Sequence, residues 1–87
     1  MKIYYSSKFL KEYKKLPREV KLLAEKQEKI FRRDPFDPRL KTHHLTGKLK
    51  EFCAFSINYQ YRIIFEFADA DKDIVWFHSA GTHDIYR

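Results

Sequence analysis

The chain has 87 residues, enough for one domain around a single modest core. Hydrophobic residues make up 44% and aromatic residues 17%, a composition that packs rather than stays disordered. The net charge is +6, and it is uneven: residues 1–33 hold eleven Lys or Arg against four Glu, a balance of +7, whereas residues 34–87 hold seven against eight acids. Such a charge steers the chain towards nucleic acid or an acidic protein; a solvated helix face with Lys21–Glu25 and Glu25–Lys29 pairs explains it equally well. Cys53 is alone, which excludes an internal disulfide and a cysteine zinc cluster and leaves a buried thiol as the simplest reading. No leader pattern and no bilayer-length apolar run is visible, so a soluble, cytoplasmic protein without membrane association is expected.

Lys2-Ile3-Tyr4-Tyr5 is a β-branched and aromatic run that predicts a first strand. Ser6 and Ser7 are positioned to cap a helix from Lys8, with Phe9, Leu10, Tyr13 and Leu16 on one stripe. Pro17 interrupts that stripe and suits the first position of a second helix, where Val20, Leu23, Ala24, Gln27 and Phe31 share a face. Asp34-Pro35-Phe36-Asp37-Pro38 stops it, because a residue before proline is pushed out of helical geometry. The segment onward to Gly47 reads as an ordered loop.

From Glu51 the period changes to two. Cys53, Phe55 and Ile57 fall on one side of a strand and Phe52, Ala54 and Ser56 on the other. Asn58-Tyr59-Gln60 is a turn. In the next strand Tyr61, Ile63, Phe65 and Phe67 make the apolar side, and Arg62, Ile64 and Glu66 the other. A turn over Asp69–Asp73 leads to the last strand, Ile74–His78. The order is β-α-α-β-β-β, a small α+β domain over residues 1–87 with an antiparallel sheet covered on one face by a helical hairpin. The helices should lie on the face of Phe55, Ile57, Ile63 and Phe65. Ser56 and Arg62 should be exposed opposite, since a one-residue slip would bury the arginine.

Three short runs carry the chemistry. Thr42-His43-His44-Leu45-Thr46-Gly47 and Gly81-Thr82-His83-Asp84 each place imidazole near a glycine, and Tyr59-Gln60-Tyr61-Arg62 lies between them. Imidazole moves protons near neutral pH, and arginine with stacked tyrosines suits a phosphate-linked, base-bearing strand such as RNA. Each residue also has a plainer use. Arg62 can pair with Glu66, His78 can be a structural strand histidine, and Tyr59, Tyr61 and Tyr86 can pack at sheet edges. The loop histidines with His83 lack an acidic or thiol ligand at recognised spacing, so no metal site is expected.

Phe9-Leu10-Lys11-Glu12-Tyr13-Lys14-Lys15-Leu16-Pro17, Asp34-Pro35, Leu45-Thr46-Gly47-Lys48-Leu49, Tyr59-Gln60-Tyr61-Arg62-Ile63-Ile64-Phe65 and Gly81-Thr82-His83-Asp84 together resemble the RelE/ParE superfamily of type II toxins, in its YafQ-like branch. The resemblance spans nearly the whole chain. It implies a ribosome-dependent mRNA endonuclease (an mRNA interferase) in which the RNA 2′-hydroxyl attacks the adjacent phosphate. A base, an acid and cations serve that step, with no cofactor and no metal. It also implies neutralisation by a cognate antitoxin, with operator DNA reached only through the antitoxin. Carried over by position, His43, His83 and Arg62 are the implied catalytic residues. His44, Tyr61, Lys48, Lys50, Tyr86 and Arg87 are the implied RNA contacts. Ser56, Gln60 and Ser79 depart from the pattern, standing where relatives carry histidine or arginine, an acid, and arginine; His44, His78 or Arg87 are the residues available to substitute. Two other functions stay open, a ParE-like inhibitor of DNA gyrase and a catalytically decayed antitoxin-binding module.

Overall fold

In the computed structural model, which describes residues 1–82, strand β1 (Lys2–Tyr5) leads into helix α1 (Ser7–Lys14). Ser6 is the cap: its hydroxyl accepts from the Phe9 backbone N–H at 3.0 Å, satisfying one of the amides a helix start leaves open. Helix α2 spans Arg18–Arg33. Pro17 sits one position earlier than expected, as the extended residue before the helix. Asp34, ahead of Pro35, is extended and ends it.

Each helix buries a narrower stripe than the sequence predicts. Phe9, Leu16, Val20, Ala24 and Phe31 are buried, but Leu10 and Leu23 are 54% and 40% exposed. Each follows or precedes a buried neighbour by one residue, about 100° around the helix, and so turns off the core-facing line.

A 3₁₀ turn at Pro38–Leu40 brings the chain to β2, His43–His44, and a second at Gly47–Leu49 brings it to β3, Cys53–Ser56. Gly47 has φ of +65°, which glycine adopts without strain. Strands β4 (Arg62–Phe67) and β5 (Ile74–Gly81) complete the sheet. Asn58 closes the β3–β4 turn by accepting from the Gln60 and Tyr61 amides at 2.9 and 2.8 Å.

The five strands run in the order β1-β5-β4-β3-β2. The meander β3-β4-β5 is antiparallel as expected, and β2 extends it antiparallel to β3. The sheet is nevertheless mixed, because β1 pairs parallel with β5. Two intervening helices supply the long crossover that a parallel pair requires. The expected loop at His43–His44 is therefore an edge strand, held by pairing of His43 with Ala54 and His44 with Cys53.

The helices cover the face that holds Phe55, Ile57, Ile63 and Phe65, all buried. Phe31 of α2 is the centre of this layer, with ring centroids 4.9 Å from Phe55, 4.9 Å from Phe65 and 5.4 Å from Phe77. Gln27 ties α2 to the sheet, donating through Nε2 to the Ser56 carbonyl at 2.9 Å and the Arg39 carbonyl at 3.2 Å.

Candidate functional site

The second sheet face is built from cross-strand rows, because residues paired across a sheet share a side. One row runs His43, Ala54, Ile64, Ser79; the next runs Ser56, Arg62, Gly81. His43 and Arg62 are thus brought to one face; the alternation predicts the side of Arg62, and that of His43 follows from its pairing with Ala54. His43 is exposed, and its Nδ1 lies 3.1 Å from the Lys41 carbonyl. A carbonyl only accepts, so Nδ1 carries a proton, and in the neutral form of the ring Nε2 is the nitrogen able to take one.

This face is less open than expected. Ser56 is buried, at 7% exposure, together with Ala54, Ile64 and Ser79. Serine is too short to rise beside its cross-strand partner Arg62, and in the neighbouring row Ile64 and Ser79 share a cleft with Leu49 and Phe52. Arg62 is half-buried, and its Nη1 donates to the Asn58 and Tyr61 carbonyls. It does not pair with Glu66, which is engaged elsewhere.

Other expected contacts separate from this face. His44 pairs with Cys53, and its Nδ1 is 3.3 Å from the Cys53 Sγ, on the side of the sheet that faces the helices. Burial pushes the Cys53 thiol up, away from the reactive thiolate. Tyr61 is half-buried against the core. Lys48 and Lys50 are exposed on either side of Leu49. His83, Tyr86 and Arg87 lie outside the described residues.

Sequence reasoning missed a cleft of about 320 Å³ on this second face, lined among others by Lys8, Phe52, Ile64, His78 and Ser79. Strict alternation puts His78 and Ser79 on opposite sides. The β4–β5 register shifts between Ile64 and Phe65, pairing Ile64 with Ser79 and Phe65 with Phe77, so His78 is the extra residue of a bulge and both side chains line the cleft. His78 Nε2 is 3.0 Å from Glu66 Oε1, and Phe52 stands edge-on to the imidazole at 5.0 Å. From α1, Lys8 Nζ donates to Ser79 Oγ at 2.6 Å. Tyr4 and Trp76, paired across β1 and β5, stack at 5.1 Å and are partly exposed. The one signal in the sequence was Glu66 sharing a strand side with Arg62; the bulge leaves none. Among the described residues no group of three or more His, Cys, Asp or Glu side chains is arranged to hold a metal ion.

A two-helix layer on a five-stranded mixed sheet is a fold that solved toxin structures share. YafQ from E. coli strain BL21(DE3) superposes with a TM-score of 0.79 at 18% identity, covering 98% of this chain and 96% of that one. The YoeB/ParE toxin from Agrobacterium tumefaciens gives 0.79 at 14% identity, covering 95% and 99%. YafQ in the E. coli DinJ–YafQ complex gives 0.67 at 23% identity, covering 97% and 94%. No curated protein matches by sequence. Residues 5–77 match the HigB-like toxin family, described as the RelE-like toxin of type II toxin-antitoxin system HigB, and the chain belongs to that family. No helix among the described residues is long and apolar enough to cross a membrane.

Proposed function

We propose that this toxin is a ribosome-dependent mRNA endonuclease that arrests translation and is neutralised by a cognate antitoxin. The observation that carries the reading is His43. Its Nδ1–H is fixed by the Lys41 carbonyl, which leaves Nε2 as a proton acceptor on an exposed strand of the same face as Arg62. A base so placed takes the proton of an RNA 2′-hydroxyl, and a guanidinium nearby stabilises the charge that builds on the phosphate. His83 contributes to the same chemistry in this reading, and Lys48 and Lys50 grip the strand as it enters. DinJ–YafQ of E. coli is a toxin–antitoxin complex, which supports a protein antitoxin here; in this reading operator DNA is reached only through that antitoxin.

Primer extension on mRNA after induction tests the reading: discrete new 5′ ends within translated frames are expected. His43→Ala should melt within about 0.5 kcal/mol of wild type, as exposed positions usually do. It should cut roughly 100-fold to 10,000-fold more slowly, the usual worth of a general base. Undiminished cleavage would remove His43 from the site. A second reading, inhibition of DNA gyrase, is favoured by the engagement of Arg62 Nη1 in its own turn. Gyrase-linked DNA breaks without new mRNA ends would select it.

A further inference from the structure

We propose that His78 is a catalytic proton donor of this toxin, with Glu66 its positioning residue and Lys8 a phosphate ligand; the proposal rests on the mRNA-cleavage reading above. Glu66 and Lys8 are not among the site residues the sequence implies, and His78 enters there only as one of three residues available to substitute, with no role.

The bulge is the first observation. It inserts His78 beside Ser79 so that consecutive residues line one cleft, which a regular strand cannot do. The second is the imidazole's fixed state. Glu66 Oε1, 3.0 Å away, accepts from Nε2–H, so Nδ1 is the ring nitrogen with no hydrogen bond among the described residues. Phe52 packs edge-on against the ring and holds its orientation. A carboxylate on one ring nitrogen and a reacting proton on the other is the working arrangement of histidine in acid–base catalysis.

The third observation is Lys8. Its ammonium reaches from the first turn of α1 to Ser79 Oγ at 2.6 Å, with Glu12 at 3.5 Å, and its side chain stays 65% exposed. Glu12 is itself anchored by the Ala80 backbone N–H at 3.2 Å, so the ammonium is held at the cleft rather than free in solvent. Leu49, Phe52 and Ile64 supply the apolar part of the lining beside that ammonium.

His43 and Ser79 are the ends of one cross-strand row, three inter-strand steps and therefore about 14 Å of backbone apart. Both lie on the uncovered side of the sheet, with Leu49 and Phe52 rimming the cleft over buried Ile64, so in the proposal the phosphodiester lies across that rim and not on the sheet itself. In the proposed step the bond from the 2′-oxygen to phosphorus forms and the bond from phosphorus to the 5′-oxygen breaks. The 2′-hydroxyl proton passes to the neutral ring of His43 at Nε2, and His78, entering the step as the imidazolium paired with the Glu66 carboxylate, passes its Nδ1 proton to the departing 5′-oxygen and is left neutral. Lys8 holds a non-bridging oxygen throughout.

The test is single-turnover cleavage on programmed ribosomes of two messages, one normal and one with sulfur in place of the bridging 5′-oxygen at the cut site. A thiolate leaves without a proton. His78→Ala should slow the normal message at least about 100-fold, in the range for general acids, and the sulfur-bridged message by less than about tenfold. His43→Ala should slow both. Glu66→Gln should show the His78 pattern in weaker form. Lys8→Ala should raise the ribosome concentration needed for half-maximal rate, and Lys8→Arg should restore most of it. Melting curves control for folding, and His78→Gln serves if His78→Ala is unstable. His78 variants that cut the normal message at the wild-type rate, or that lose both messages equally, overturn the proposal. Wild-type protein that cuts neither message overturns the cleavage reading itself, which is a different result.

Discussion

Arg62 has one task that the structure shows and a second in the proposed function. Its Nη1 donates to the Asn58 and Tyr61 carbonyls and so closes the β3–β4 turn, while Nε and Nη2 make no hydrogen bond among the described residues and are the groups the proposal assigns to a phosphate. Arg62→Ala should therefore lose on two measurements. Stability should fall by about 1 kcal/mol, less than the full worth of a charged hydrogen bond because water reaches this half-buried group. Single-turnover cleavage should fall further, since a contact that tightens as charge grows on the phosphate acts on the rate. Arg62→Lys should recover part of the rate and little of the stability, for an ammonium lacks the planar fork that serves turn and phosphate together. A lowered melting point with an unchanged rate would make Arg62 a turn residue only. Cys53 answers a simpler question. Buried, with its thiol pushed up by desolvation, it should react with a thiol reagent only on unfolding. Labelling of the native protein at the rate of a free thiol would show that the β2 edge opens.

Among the elements, those that bury one face were legible in the sequence. Ser6, Pro17 and Pro35 mark the helix ends, and the alternation from Cys53 to Phe67 assigns each side chain of β3 and β4 to a face. What remained hidden depends on pairing rather than pattern. Two residues, His43 and His44, are too few to show a period, so β2 exists only because β3 lies alongside. The direction of β1 beside β5 has no local signature either. The bulge at His78 is hidden for the same reason, and with it half of the candidate site. Gln27 shows how such an arrangement is braced. It falls on the core stripe of α2, and its amide supplies donors to the carbonyls of Ser56 and Arg39. Gln27→Leu keeps the volume and leaves the Ser56 carbonyl, at the end of β3 across from Arg62, without that partner. A loss of about 1–2 kcal/mol is expected, read as a lower denaturation midpoint with an unchanged slope. An unmoved midpoint would mean that water replaces the amide at no cost.

Across the whole molecule, the excess charge and the candidate site lie on different sides of the sheet. Residues 1–33 carry the +7 balance, and apart from β1 they are the two helices and their connections, packed on the face of Phe55 and Phe65. His43, Arg62 and His78 are on the other face or at its cleft. Lys8 alone among the described helix cations lines that cleft. The smallest extent of the molecule is 24 Å, several times the screening length of about 8 Å at physiological salt. Cations on the outer helix surface therefore steer approach to an anionic partner but contribute little field at the reacting phosphate. Lys26 and Lys29, both exposed on α2, separate the two effects. The double change Lys26→Glu, Lys29→Glu should weaken ribosome association and flatten its dependence on salt, because fewer counterions are displaced on binding. At saturating ribosomes the single-turnover rate should stay within about twofold of wild type, a difference that screened charges do not exceed. Rates measured across ribosome and salt concentrations distinguish these terms. A rate that falls at saturation, in a variant that melts as wild type does, would place the message against the helices and remove the cleavage site from the sheet face.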